Sequence, residues 1–274
     1  MRKSSQLLRF YERGFLSRVF KMNRQNHNLQ IADYIDLIFD TFLELRGDRK
    51  SGDDRAVIGG LARLNGHKVV VIGYQRVRSG ETPEVPGAEG YRKCSRLIRL
   101  AEAFSKPVIV FTDIPATVSS PVPGQQQASE AAARSLEEMS CLMTPIIGVI
   151  TGELSGITAI DMCAADRVLM LEGAGCYVSL LDETPVSSSD NVSSYLKGQD
   201  LLDLNVVHRM VRGPSKGDSE SAANTLRKAI LEELRPLTQL HPEDLVRQRL
   251  HRLQHQFLNF GTSKLTSGNR HRIS

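Results

Sequence analysis

Residues 145–166, PIIGVITGELSGITAIDMCAAD, constrain this chain more than any other stretch. The first six or seven are almost wholly apolar and β-branched, which predicts a strand buried on both faces, followed by a glycine-punctuated turn and a helical run. A strand that stops at Gly152 and opens a helix aims backbone N–H groups beyond the strand end, where an oxygen anion can be held. Function is therefore expected on residues 152–158, provided that a second loop faces them.

The same pattern occurs once before. A helix is expected from about Ala88 to Ser105, with Tyr91, Cys94, Leu97, Ile98, Ala101 and Phe104 on its inner face, and Pro107 then starts the apolar strand VIVFTD. This strand ends at Asp113, and Pro115, Pro121 and Pro123 keep IPATVSSPVPGQQQ out of regular structure. Helix resumes through ASEAAARSLEEMSCLM before the strand at Pro145. Two loops at the ends of buried strands can thus face one another across a single pocket.

Upstream, Tyr34, Ile35, Ile38, Phe39, Phe42 and Leu45 share one face of a helix expected over 31–46, closed by Gly47. An Asn65-Gly66 pair between the apolar runs AVIGGLARL and HKVVVIGYQ predicts a hairpin over 56–75. Residues 76–90, rich in Gly, Pro and Glu, read as a loop. Downstream, RVLMLE and CYVSLL read as short strands, TPVSSSDNVSS as a polar loop, LKGQDLLDL as a helical turn and VVHRMV as a strand. Helices are expected over 218–235 and 242–258, with a polar basic tail.

Charge and cysteines narrow the chemistry. A net charge of +4, spread along the chain, carries no nucleic-acid signal, and no apolar run approaches the ~20 residues of a membrane span. Cys94, Cys141, Cys163 and Cys176 are far apart and show no metal-ligand spacing, so they read as core thiols in a reducing compartment. Residues 1–27 carry seven Lys or Arg against the single acid Glu12. Leu8, Tyr11, Phe15 and Val19 recur there at helical spacing, so an amphipathic docking helix and an organellar transit peptide both fit.

No GxGxxG or GxxxxGK[ST] follows a strand, and GELSG is not GxSxG, so Ser155 reads as a turn or cap serine. None of the seven histidines lies in a strand-end loop near the organising stretch. Glu153 is the best-placed acid; its position at a helix start suits a solvated, dipole-stabilising carboxylate better than a buried general base. Chemistry then falls to backbone N–H donors and bound substrates.

The segments LIFDTFLELRGDR, DDRAVIGGLARLNGHKVVVIGYQ, GAEGYRKCSRLIRLAEAFSKPVIVFTD, SEAAARSLEEMS and GE…A…AADRVLMLE, in this order over about 31–258, resemble the α subunit of bacterial-type acetyl-CoA carboxylase carboxyltransferase. The resemblance implies an α/β, crotonase-like superhelix of repeated ββα units with N- and C-terminal helices. It divides the chain into a basic extension (1–30), the carboxyltransferase domain (31–258) and a polar tail (259–274). It also implies an α2β2 heterotetramer with a carboxyltransferase β subunit, served by a biotin carboxyl carrier protein and biotin carboxylase, in the cytoplasm (in a plastid if 1–27 is a transit peptide).

In that family carboxybiotin on the carrier releases CO2, the biotin anion takes a proton from acetyl-CoA, and the enolate attacks CO2 to give malonyl-CoA for fatty acid synthesis. The resemblance implies no covalently bound cofactor or metal on this chain, with zinc only on the β subunit. Carried onto this sequence, the backbone N–H groups of Gly156 and Ile157 are the donors. Ala116, Thr117, Gly124, Gly152, Glu153, Ser155 and Thr158 line the substrate. The family's PGAYPG is replaced by residues 115–120, its GAEERGQ by 122–128 and its GEGGSGGA by 152–159, so Leu154, Ser155, Ile157 and Thr158 stand where it has glycine. Its PEGCASILWK has no clear counterpart near 184–194. The alternatives are a catalytically disabled paralogue acting as scaffold or regulator, and a crotonase-like thioesterase or hydratase using a buried acid such as Glu153.

Overall fold

The computed structural model describes residues 29–79, 82–114, 124–179, 193–214 and 218–267; the expected N-terminal helix at 1–27 lies outside them. Helix α1 (Ile31–Ile38) is half the length that the apolar spacing predicts. Phe39 leaves helical geometry, and strand β1 (Thr41–Glu44) pairs antiparallel with β2 (Val57–Leu64). Phe42 and Leu45 owe their place to the sheet, not to a helix face. At Gly60 a Cβ would collide with the Leu43 carbonyl oxygen and stand 2.9 Å from Glu44 Cα, so β1 can lie this close only over glycine. Gly60→Ala should cost about 1–3 kcal/mol by overpacking. Hydrogen exchange will show residues 41–44 losing protection; unchanged protection there would contradict the argument.

The expected hairpin forms: β2 pairs with β3 (His67–Tyr74) down to Leu64 and His67. Asn65 at φ 49° and Gly66 at φ 81° give the doubly left-handed turn whose twist suits two antiparallel strands. Inside the segment read as a loop, β4 (Val77–Ser79) and β5 (Thr82–Glu84) make a small second hairpin. Helix α2 (Ala88–Ala103) then leads to β6 (Val108–Thr112), and α3 (Gln125–Cys141), starting three residues ahead of expectation, leads to β7 (Ile146–Ile150).

After β7 a strand that the sequence does not announce, β8 (Glu153–Ser155), precedes helix α4 (Gly156–Cys163). Strands β9 (Arg167–Leu171), β10 (Gly175–Ser179) and β11 (Ser193–Lys197), helix α5 (Gly198–Asp203), strand β12 (Arg209–Val211) and helices α6 (Ser219–Leu237) and α7 (Pro242–Ser267) complete the order. Helix α7 continues well past residue 258. The main sheet runs β1-β2-β3-β6-β7-β9-β12, parallel from β3 onward, and a small sheet runs β11-β10-β8. β7–β8–α4 is a ββα unit, and β9–β10 repeats its strand pair, with β8 parallel to β10 as β7 is to β9 and β11 added before α5.

The central strands are buried on both faces, and alternate residues serve different layers. Val108, Val110, Ile146 and Ile150 pack with Leu97 and Ile98 of α2, Met139 of α3 and Met162 of α4. Ile109, Phe111, Ile147 and Val149 pack on the other side with Ile31, Ile35 and Ile38 of α1 and Leu226, Ile230 and Leu234 of α6. Of the cysteines, Cys94 and Cys176 are buried, Cys163 is half-buried and Cys141 is exposed, so the expectation of core thiols fails at the end of α3.

Helix α7 is fixed by two arginines. Arg249, fully buried, donates to both carboxylate oxygens of Asp166 (2.9 and 2.7 Å) and to the carbonyls of Met139, Leu142 and Thr144 (2.8, 2.7 and 3.2 Å). The same Asp166 carboxylate accepts the N–H of Ile146 at 2.7 Å. Arg252 donates to the carbonyls of Cys163, Ala165 and Asp166, just beyond α4. Cations at the carbonyl ends of α3 and α4 complement both helix dipoles. Burial, with Arg252 and Arg167 alongside, pushes His208 down to about 4, and its Nδ1 accepts the N–H of Val168 (3.0 Å).

Candidate functional site

The parallel strands β6 and β7 end side by side, Thr112 opposite Ile150. Beyond them the two strand-end segments are tied together. The N–H of Ile114 donates to the Glu153 carbonyl (2.8 Å), and the N–H of Glu153 donates to Asp113 Oδ1 (3.0 Å). Arg76, just past β3, donates to the same Asp113 oxygen (3.0 Å) and lies 3.5 Å from the Glu153 carboxylate. A Cβ on Gly152 would run into the Asp113 carboxylate, so glycine is required here by close approach. The two strand ends meet, joined by Asp113; most of the loop expected to face the turn, residues 115–123, lies outside the described residues.

This junction aims the start of α4. β8 is held by β10 (Glu153 opposite Gly175, Ser155 opposite Tyr177), and the helix begins at the next residue, Gly156. The first N–H groups of a helix have no acceptor within it, and in α4 these include those of Gly156 and Ile157, at its positive end. Leu154 is 1% exposed and belongs to the hydrophobic core, and Thr158 is 2% exposed. Two of the side chains standing in glycine positions are thus taken up by the protein interior.

The other expected site residues divide. Gly152 and Glu153 lie at the junction, the latter half-buried and paired with Arg76 rather than freely solvated. The backbone of Ser155 is the last of β8. Gly124, at φ 87° with open space where a Cβ would stand, begins α3 on the far side of the loop after β6. Ala116 and Thr117 lie outside the described residues. Sequence reasoning missed Arg76 and Asp161: the first sits in a stretch read as loop, the second is a lone acid inside the apolar run ITAIDMCAA. Asp161 is fully buried on α4, and burial pushes its carboxyl up to about 7.

An apolar groove of about 600 Å³, lined by Met143, Val246 and Leu250, lies at the opposite end of the strands and is separate from this junction. Among the described residues no group of His, Cys, Asp or Glu is arranged to hold a metal ion, and no helix is long and apolar enough to cross a membrane. The junction brings the N-terminal, positive end of α4 to the ends of two strands, an arrangement that favours a negatively charged oxygen.

Residues 4–256 match the family described as acetyl co-enzyme A carboxylase carboxyltransferase-like. The acetyl-coenzyme A carboxylase carboxyl transferase subunit alpha of Geobacter metallireducens is 38% identical over 235 residues, covering 79% of this chain and 73% of its own. That of Pasteurella multocida is 35% identical over 251 residues (86% and 79%). Among solved structures, the Pseudomonas malonate decarboxylase MdcD-MdcE hetero-dimer superposes with a TM-score of 0.57 at 13% identity, over 73% of this chain and 85% of that one. Transcarboxylase 12S, a hexamer, gives 0.55 at 17% identity over 76% and 40%. At such identities these neighbours speak for the fold alone, and they bear out the expected α/β, crotonase-like architecture.

Proposed function

Since this chain belongs to the acetyl co-enzyme A carboxylase carboxyltransferase-like family, we propose that it works as the alpha subunit of such an enzyme, with its donors at the start of α4. The complex transfers a carboxyl group from carboxybiotin to acetyl-CoA, forming malonyl-CoA for fatty acid synthesis. The observation that supports the reading is the junction of Asp113 with the 152–156 turn, which sets the start of α4 beyond the strand ends.

Carboxybiotin, presented by a carrier protein, supplies the carboxyl group; no residue of this chain needs to form a bond to it. The N–H groups of Gly156 and Ile157 hold the ureido oxygen and stabilise negative charge as it develops there. A fixed donor of this kind is worth about 2.7–4 kcal/mol, or 100- to 1000-fold in rate. Gly152 lets the turn pass close to Asp113, Arg76 keeps that carboxylate in place, and Glu153 braces Arg76 from the other side. Thr158 seats the first turn from inside, and the backbone of Ser155 anchors it to β10. Gly124, Ala116 and Thr117 border the substrate.

The partner is a carboxyltransferase β subunit in an α2β2 assembly, carrying the thioester-oxygen donors and zinc, with the biotin carboxyl carrier protein and biotin carboxylase completing the cytoplasmic complex. Residues 31–258 act as one domain, with 1–30 and 259–274 as appendages. Co-expression with that partner should yield a stable complex that decarboxylates malonyl-CoA in a biotin-dependent way, while the chain alone is inactive. An intact complex with no such activity would refute the catalytic role and leave a scaffold.

A further inference from the structure

Asp161 is a buried acid for which carboxyl transfer, as described, has no use. Its side chain is fully buried, and neither carboxylate oxygen has a hydrogen-bond partner. The Tyr74 hydroxyl, at the end of β3, is near enough to act on it as a weak hydrogen-bond donor, which opposes the effect of burial, though neither group makes a well-formed hydrogen bond. Tyr91 and Cys94 on α2 and Cys163 on α4 also feel its charge. Neither Glu153 on β8, nor Cys176 on β10, nor any ionisable group of α3 contributes to its shift. No cation of the described residues compensates it.

Burial disfavours the carboxylate relative to the neutral acid, which can turn its own proton toward Tyr74. Burial accordingly moves it up to about 7. Once ionised, the group has the Tyr74 hydroxyl as its one nearby donor; any further gain comes from water or from moving outward, and either displaces α4. The far end of that helix is tied to α7 by Arg252. Displacement therefore falls on the near end, where Gly156 and Ile157 lie.

We propose that Asp161 is a positioning residue whose carboxyl must be neutral for the first turn of α4 to hold its N–H groups at the strand ends, so that deprotonation releases the turn and slows carboxyl transfer. This rests on the donor role given above to Gly156 and Ile157, and it is tested by two readouts, one of which needs no catalysis. The first is the ratio of transfer rates at pH 8 and pH 6 in the complex of the full chain with its partner subunit. With an apparent midpoint near 7, the neutral fraction falls about tenfold across this interval, so the wild-type ratio should be about tenfold below that of Asp161→Asn. A merely structural Asp161 would lower both rates without changing their ratio.

The second readout is hydrogen exchange over residues 153–163, corrected for the intrinsic effect of pH. Protection should fall between pH 6 and pH 8 in the wild type and hold in Asp161→Asn; Asp161→Ala serves the same comparison if the asparagine variant does not fold. Equal pH dependence of exchange in wild type and variant overturns the proposal, whatever the rates do. Differential exchange in a complex with no transfer activity supports the positioning of α4 and counts against the catalytic reading instead.

Discussion

Gly152→Ala is expected to lower carboxyl transfer about 100- to 1000-fold in a protein that still folds, the loss associated with misdirecting one fixed oxyanion donor. The added methyl meets the Asp113 carboxylate, which cannot rotate away freely because the Glu153 N–H and Arg76 both hold it at 3.0 Å. Pushing the carboxylate aside leaves that N–H without its acceptor and loosens the turn that starts α4. Asp113→Ala should act in the same direction through the same bond, and the double variant should be little worse than either alone, because both remove one arrangement. Steady-state rates of the complex, with thermal melting as a control for folding, test this. A Gly152→Ala rate within threefold of wild type would mean that the donors do not depend on the junction.

Arg249→Ala is expected to be the most destabilising single change away from the site, at about 3–5 kcal/mol, because it strands a buried charge. Asp166 would keep only the Ile146 N–H, and the carbonyls of Met139, Leu142 and Thr144 would lose their buried donor. For a domain of this size the melting temperature should drop by roughly 6–20 °C. Arg249→Lys should recover only part of this, since an ammonium cannot reproduce the guanidinium fork that grips both carboxylate oxygens. A drop of under 2 °C for the alanine variant would show that α7 is held by its apolar contacts alone.

Local chemistry made some of the fold legible and tertiary pairing hid the rest. The β2–β3 hairpin could be read because Asn65 and Gly66 carry their conformational preference in two adjacent residues. The buried strands β6 and β7 could be read because a parallel strand covered on both faces needs an unbroken apolar run. Residues 41–45 could not: Phe42 and Leu45 continue the spacing of α1, and only the partner strand β2, with Gly60 beneath, turns that spacing into β1. Three-residue β8 is too short to show any period, and its place is set by β10.

The donor turn itself was visible as a glycine-punctuated strand end. What fixes it was not, because Asp113, Gly152 and Arg76 meet from three separate segments, and each alone is an ordinary loop residue. Arg249 and Arg252 were hidden for a related reason. Two basic residues one turn apart on a polar helix look solvated until the carbonyl ends of α3 and α4 are brought against them.

The packing of α1 bears on how the chain is made. Its apolar face, Ile31, Ile35 and Ile38, lies with α6 on the same side of the sheet, and Asp40 is paired with Arg227 nearly two hundred residues later. On a ribosome, the α6 part of the cover over β6 and β7 is missing until residue 237 has emerged, and Arg249 follows later still. The sheet is therefore laid down before the helix that completes its cover on this side, and the last two helices act as a closing step in which the earliest and latest segments meet.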